Sequence, residues 1–177
     1  MFLFCSAGHS ALYAGKTGYA LDLLQRGTTE GEKVGHSVGL AYIRTYLAEA
    51  LLRSGRVDEA VEPAEAALLF CQALDLVPFL ENALEINAEI LAHRDPLEKT
   101  RIDEMMEQAA SLVERGNSPW RKIQYLMARA RIGLKLGMIE AARKDLAEAR
   151  AIYLEMGLEN GTGELRSIET ALKEADI

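Results

Sequence analysis

The clearest hydrophobic stripe stands near the end of the chain. Leu165, Ile168 and Leu172 fall three and four residues apart, with Glu164, Arg166, Glu169, Lys173 and Glu174 on the other face. That spacing predicts an amphipathic helix over 163–175. Upstream, Ala, Leu, Glu and Arg dominate and only four prolines occur, so almost everything reads as helix. The predicted helices run over 2–14, 17–29, 37–54, 58–75, 79–93, 96–115, 119–136, 139–156 and 163–175. Pro96 and Pro119 follow Asp95 and Ser118, which places each at a helix's first position behind an N-cap. Asp95 with Glu98 also fits a capping box. Pro78 opens a segment in the same way. Pro63 falls early inside a helical pattern and is expected to kink it or loosen its first turns.

The breaks between helices recur. Gly15, Gly55, Asp95 and Gly137 each read as the turn between two helices, at intervals of 40, 40 and 42 residues. A fixed period in this range points to stacked units rather than one irregular core. The units are about 1–35, 36–77, 78–117 and 118–160, with a capping helix over 161–177, all in a single domain spanning 1–177. Short connections make sequential helices neighbours. The charged face of the last helix suits a cap that closes the stack with a polar outer surface.

Each unit also repeats a pattern of small residues. The first offers Phe4-x2-Ala7-Gly8-x2-Ala11 and then Ala20-x3-Leu24. The second offers Arg44-x2-Leu47-Ala48-x2-Leu51 and Ala60-x3-Ala64-x2-Ala67. The third offers Leu84-x2-Asn87-Ala88-x2-Leu91 and Ile102-x3-Met106-x2-Ala109, and the fourth Leu126-x2-Arg129-Ala130-x2-Gly133 and Ala142-x3-Leu146-x2-Ala149. Gly8, Ala48, Ala88 and Ala130 thus stand where two helices of a pair cross closely. The pattern resembles the tetratricopeptide repeat, W-x2-L-G-x2-Y followed by A-x3-F, with most of its large aromatics lost and a longer period. The resemblance implies an all-α right-handed superhelix of about four antiparallel pairs plus the C-terminal cap. Long repeats of this sort are similar to those in the C-terminal regions of large bacterial signalling proteins. Those proteins couple a signal-transduction ATPase module to a nucleotide cyclase, a kinase or a DNA-binding domain. The phrase Ala147-Glu-Ala-Arg-Ala-Ile-Tyr-Leu-Glu-Met-Gly157 carries that likeness most closely. It implies a sensor or docking role.

Composition narrows the partners. The 177 residues are 49% apolar and 27% charged, with a net charge of −7. An acidic chain without a basic cluster argues against nucleic acid, which needs Lys and Arg to displace counterions. It argues equally against an anionic membrane surface. No apolar run is long enough to span a bilayer, and Met1–Cys5 lacks the basic start of a signal peptide. Cys5 and Cys71 have no metal-ligand spacing and read as reduced core residues of a cytoplasmic protein. The opening Phe2-Leu3-Phe4, with no polar capping helix before it, suggests an internal start within a larger protein.

Candidate chemistry lies on the first helix of each pair, expected to line the concave face. Glu81, Glu85, Glu89 and His93 form one stripe, with Asn82 beside it. Three readings are open: an ion-pair network with Glu49 and Arg53 before it and Arg131 and Lys135 after it, a peptide contact, or a divalent metal. Phe2, Tyr13, Tyr42, Tyr46 and Gln124 share the face, and tyrosines suit recognition surfaces. A groove formed by Tyr42, Tyr46, Glu49, Asn82, Glu85, Glu89 and Arg131 is expected to take a protein or peptide partner. The alternative is a stand-alone adaptor or a homodimer through the N-terminal apolar edge. Some tetratricopeptide proteins grip a terminal carboxylate with inner Lys and Asn. Here those positions hold Cys5, His9, Thr45, Glu49, Glu85, Glu89, Met127 and Arg131, so that activity is not implied.

Ser10–Thr17 ends like a phosphate-binding loop, but Ser10 replaces its first glycine and the intervening residues favour helix. Trp120 is expected to pack at the junction of the third and fourth units, and the charges of 140–150 to face solvent with local support. No catalytic residue, cofactor site or metal site is assigned; Ser/His/Asp, Cys/His and HExxH spacings are missing from the sequence.

Overall fold

The computed structural model describes residues 2–158 and 163–175. Those residues form nine helices and no strand. They are α1 (Phe2–Tyr13), α2 (Thr17–Val34), α3 (Ser37–Arg53), α4 (Val57–Ala73), α5 (Val77–Ala92), α6 (Lys99–Gly116), α7 (Pro119–Lys135), α8 (Ile139–Glu155) and α9 (Gly163–Glu174). Helices α1–α2, α3–α4, α5–α6 and α7–α8 pack as pairs. Odd-numbered helices also touch the next odd-numbered one, from α1 through to α9. They form an inner layer, and the even-numbered helices an outer one. The fold is an all-α stack of helical repeats.

The small-residue pattern does what its chemistry predicts. Ala48, Ala88 and Ala130 are fully buried, as are Ala20, Ala60, Ala142 and Ile102 at the facing positions. A methyl group on Gly8 would stand 2.6 Å from Leu24 Cγ, so only glycine lets α1 lie this close to α2. Gly27, seven residues beyond Ala20, takes the place of Ala67, Ala109 and Ala149 in the other units. A Cβ there would fall 2.2 Å from Ile43 Cδ1 and 2.8 Å from Phe4 Cβ. Helix α2 runs on through the buried Gly27 and Gly31 to Val34, past the predicted end at 29, and Gly35 closes it in the left-handed conformation.

The turns repeat as well, with one exception. Gly15, Gly55 and Gly137 all have φ near +73°, the left-handed conformation that glycine adopts freely. The next residue closes each turn by donating its N–H back five residues: Lys16 to Ala11 at 2.9 Å, Arg56 to Leu51 at 3.0 Å and Met138 to Gly133 at 2.7 Å. At the third position the residue after Asp95 is Pro96, which has no N–H to donate. The connection opens into a loop over 93–98 instead, and α6 starts at Lys99. The expected helix start at Pro96 and its capping box are thus corrected: Glu98 is the N-cap residue and makes no side-chain cap. The corresponding expectation at Pro119 holds, with Ser118 Oγ accepting from the Arg121 N–H at 3.4 Å. Helix α4 continues through the buried Pro63 from Val57 to Ala73.

A second turn series joins one pair to the next. Gly35, Asp75, Asn117 and Gly157 all have positive φ, at intervals of 40, 42 and 40 residues. No described helix is long and apolar enough to cross a membrane.

Candidate functional site

Helices α3 and α5 are buried around nearly their whole circumference, charged residues included: Glu49, Glu81, Glu85 and Glu89 are each at most 6% exposed. The inner layer curves so tightly that its side chains meet across the middle. Tyr13 of α1 accepts a hydrogen bond from Gln124 Nε2 of α7 at 2.6 Å. Arg53 of α3 reaches Glu164 of α9 at 2.5 Å. The concave face is an interior polar column.

The column has two linked parts. In one, five charges alternate. Arg53 Nη2 donates to Glu49 at 2.9 Å and to Glu164 Oε1 at 2.5 Å. Arg131 Nη1 donates to the same Glu164 oxygen at 2.5 Å, and its Nε to both oxygens of Glu89 at 2.8 and 2.9 Å. In the other, Arg121 donates to Glu81 at 2.6 Å, to Glu85 at 2.9 Å and to Gln124. Buried charges of this kind are tolerated only when they are paired.

Five carboxylates face three guanidinium groups here, and the imbalance shows in their acidities. Burial pushes the Glu85 carboxyl up to about 7, although Arg121 and Arg131 pull the other way. Burial likewise raises Glu49 above the ordinary carboxylate range, against Arg53. Glu164 goes the opposite way: burial would raise it, but Arg53 and Arg131 outweigh that and hold its carboxyl low. Tyr13 and Tyr46 hydroxyls are pushed well above their usual value by burial and by the charge of Glu49.

All seven predicted groove residues lie in or against this column. Tyr46 is buried, stacked on His9 at 4.2 Å, with its hydroxyl accepting from Asn82 Nδ2 at 3.2 Å. Tyr42 is half-buried between Tyr46 and Phe79. Glu49, Glu85, Glu89 and Arg131 are joined through the ion pairs above. Of the three readings open for the Glu stripe, the ion-pair network is the one the geometry displays. Among the described residues no group of three or more His, Cys, Asp or Glu is placed to hold a metal ion. Lys135 lies at the mouth beside His93, which is exposed and lies outside the pairing.

Two members of the column escaped the sequence reading. Arg121 was hidden in the first turn of α7. Glu164, expected on the cap's polar outer face, points inward. The available signal was spacing: Glu164, Ile168 and Leu172 stand four residues apart and share one face. Asp145 is a similar correction, because it is buried and clasps Arg129 instead of facing solvent. Trp120 meets Tyr153 edge-on at 6.1 Å, inside the fourth pair. No protein-family model matches this chain, and no curated protein matches it.

Larger cavities lie beside the column and between the outer helices. One of about 480 Å³ lies between the ends of α1 and α3 and the start of α9, walled by Tyr13, Arg53, Glu164 and Arg166. A second of about 380 Å³ lies on the far side of the same carboxylate, walled by His93, Arg131, Lys135 and Ile168. A third of about 540 Å³ is separate, between α6, α7 and α8, with Val113 and Ile152 beneath Lys122, Tyr125 and Arg129. The phosphate-loop likeness at Ser10–Thr17 falls away: Ala14, Gly15 and Lys16 spend their N–H groups on Ser10, Leu12 and Ala11. Cys5 and Cys71 are free and buried, their thiols pushed up to about 12 and about 11 by burial.

Proposed function

We propose that the chain is a protein-interaction or sensing module of the tetratricopeptide kind. It serves as a regulatory part of a larger cytoplasmic signalling protein, such as a bacterial nucleotide cyclase or transcription activator, and its chemistry resides in its partners. The observation that supports this most is the register of the four pairs. Gly8, Ala48, Ala88 and Ala130 hold equivalent buried places along a stack of helices. Stacks of this kind present surfaces whose relative placement changes when a partner binds.

Native immunoprecipitation from the source cells tests the reading. The expected result is a polypeptide well above 19.5 kDa, or a stoichiometric partner retained with a chain of that mass. Recovery of the 19.5 kDa chain alone overturns it. A second reading, self-association through the N-terminal edge, is favoured by Leu3, which is 80% exposed on α1. Light scattering over a concentration series separates the two, since a concentration-independent monomer removes the dimer.

A further inference from the structure

Helix α9 touches the rest of the chain through few groups. Three apolar side chains, Leu165, Ile168 and Leu172, are buried, Glu169 accepts from Arg150 of α8 at 2.9 Å, and one carboxylate enters the column. That carboxylate is held in an unusual way. Arg53 from α3 and Arg131 from α7 both donate to a single oxygen of Glu164. Arg53 still carries a buried Nε with no hydrogen-bond partner. The two guanidinium groups therefore form an anion-accepting site that Glu164 fills incompletely. Cavities of about 480 and 380 Å³ flank it on both sides, so the site can be reached without opening the helix-pair cores.

Resting on the reading of the chain as an interaction module, we propose that the surface of α7 and α8 beneath α9, with Arg53 of α3 reaching its edge, is a binding site for an acidic amphipathic helix of a partner protein, with α9 as its resident occupant. The chemistry of the occupant follows from what α9 presents: an acid followed by apolar residues at the first, fourth and eighth positions after it. Exchanging one carboxylate for another leaves the column's charge balance unchanged. A neutral or basic helix in the same place leaves Arg53 with Glu49 and Arg131 with Glu89, but the two N–H groups aimed at the Glu164 oxygen lose their charged acceptor, which burial penalises. On the side of α7 the apolar lining is Leu134, met by Ile168 and Ala171 of α9.

Tethering gives α9 an effective concentration on the order of millimolar, so the intact chain takes up a competing helix weakly. The test weakens the resident occupant and offers the site a defined probe. A fluorescein-labelled peptide with the sequence of residues 163–175 is titrated by anisotropy into the full-length chain, wild type and Glu164→Gln. The same peptide carrying Glu164→Gln is the control. The expected result is binding to the Glu164→Gln chain at least tenfold tighter than to wild type, with at least a tenfold preference for the acidic peptide. Equal binding of the two peptides, or no gain over wild type, overturns the site. If Glu164→Gln loses its helical circular dichroism, Ile168→Ser replaces it. That substitution weakens the apolar docking of α9 and leaves both arginines untouched, with the same expected and overturning results. A negative titration alongside a stoichiometric partner in the immunoprecipitate places that partner elsewhere on the stack, so this site and the broader reading fail separately.

Discussion

Where α3 meets α4, Ala48 faces Ala60, Ala64 and Ala67 across a seam of buried apolar atoms. A few ångströms inward, Glu49 on the same helix is tied to Arg53 and through it to Glu164, 111 residues beyond Arg53. The seam recurs in every unit, with glycine or alanine at the crossing and apolar residues facing it. The column repeats position but not charge: the residues equivalent to Glu49 are His9, Glu89 and Arg131. The difference teaches which part of a repeat protein is set locally. A seam joins helices adjacent in sequence, so each unit can satisfy it alone. The column joins α1 to α7 and α3 to α9, so its residues answer to partners several units away.

Breaking the column should have the largest effect. Arg131→Met strips Glu89 and Glu164 of their shared cation while both remain buried. Removing one partner of a buried pair costs about 3–5 kcal/mol. Urea unfolding should show a loss of that size. A loss below about 1 kcal/mol, the size expected of an exposed pair, would mean that the column is solvated and that its contrast with the seams is false.

Breaking a seam should cost slightly less and behave differently. Leu24→Ala empties a fully buried site against Gly8 and should destabilise by about 2–5 kcal/mol. Gly8→Ala should also destabilise on its own, because its methyl group meets Leu24. The double variant Gly8→Ala/Leu24→Ala should be more stable than Leu24→Ala alone, since the new methyl enters the vacated space. A double-mutant cycle with zero coupling would show that the two residues do not form one packed contact.

This contrast also explains what could be read in advance. The helix count, the pairing and the small residues at each crossing were legible because they depend on spacing within about 20 residues. The need for glycine at Gly27 was not legible, because Phe4 and Ile43, which approach it, lie on other helices. The groove residues were correctly grouped on one face, but their burial was not legible. It depends on how tightly the inner layer curves, and Glu164 reaches the column only because α9 extends that layer. Pro96 misled for a simpler reason. It fits a helix start, yet it also removes the N–H that closes the other turns of its series.

The charge imbalance of the column gives a pH dependence that the seams lack. Glu85 binds its proton more tightly in the folded chain, where burial pushes its carboxyl up to about 7, than in the unfolded chain near 4.5. The stability it contributes is complete below the unfolded value and is lost as pH rises through the folded one. Between these values the wild type should lose on the order of 3 kcal/mol relative to Glu85→Gln. Comparing the two proteins cancels the titration of His9, His93 and Glu49. Parallel stability curves from pH 4.5 to 7.5 would show that Glu85 is ionised throughout and compensated by Arg121.

The smallest effect tests the periodic side at its least regular point. Asp75 holds φ near +49° in a turn where the first and last units use Gly35 and Gly157. A residue with a Cβ is strained there, and a short polar side chain reduces that strain without removing it. Glycine removes the strain but also loosens the unfolded chain. The two terms oppose, and with φ already left-handed the first should win by about 0.5 kcal/mol. Asp75→Gly should therefore raise the urea midpoint slightly with no change in slope. A lower midpoint would mean that the Asp75 side chain does something at the turn that glycine cannot, and the connectors would then belong with the column, as parts whose identity is set by their surroundings.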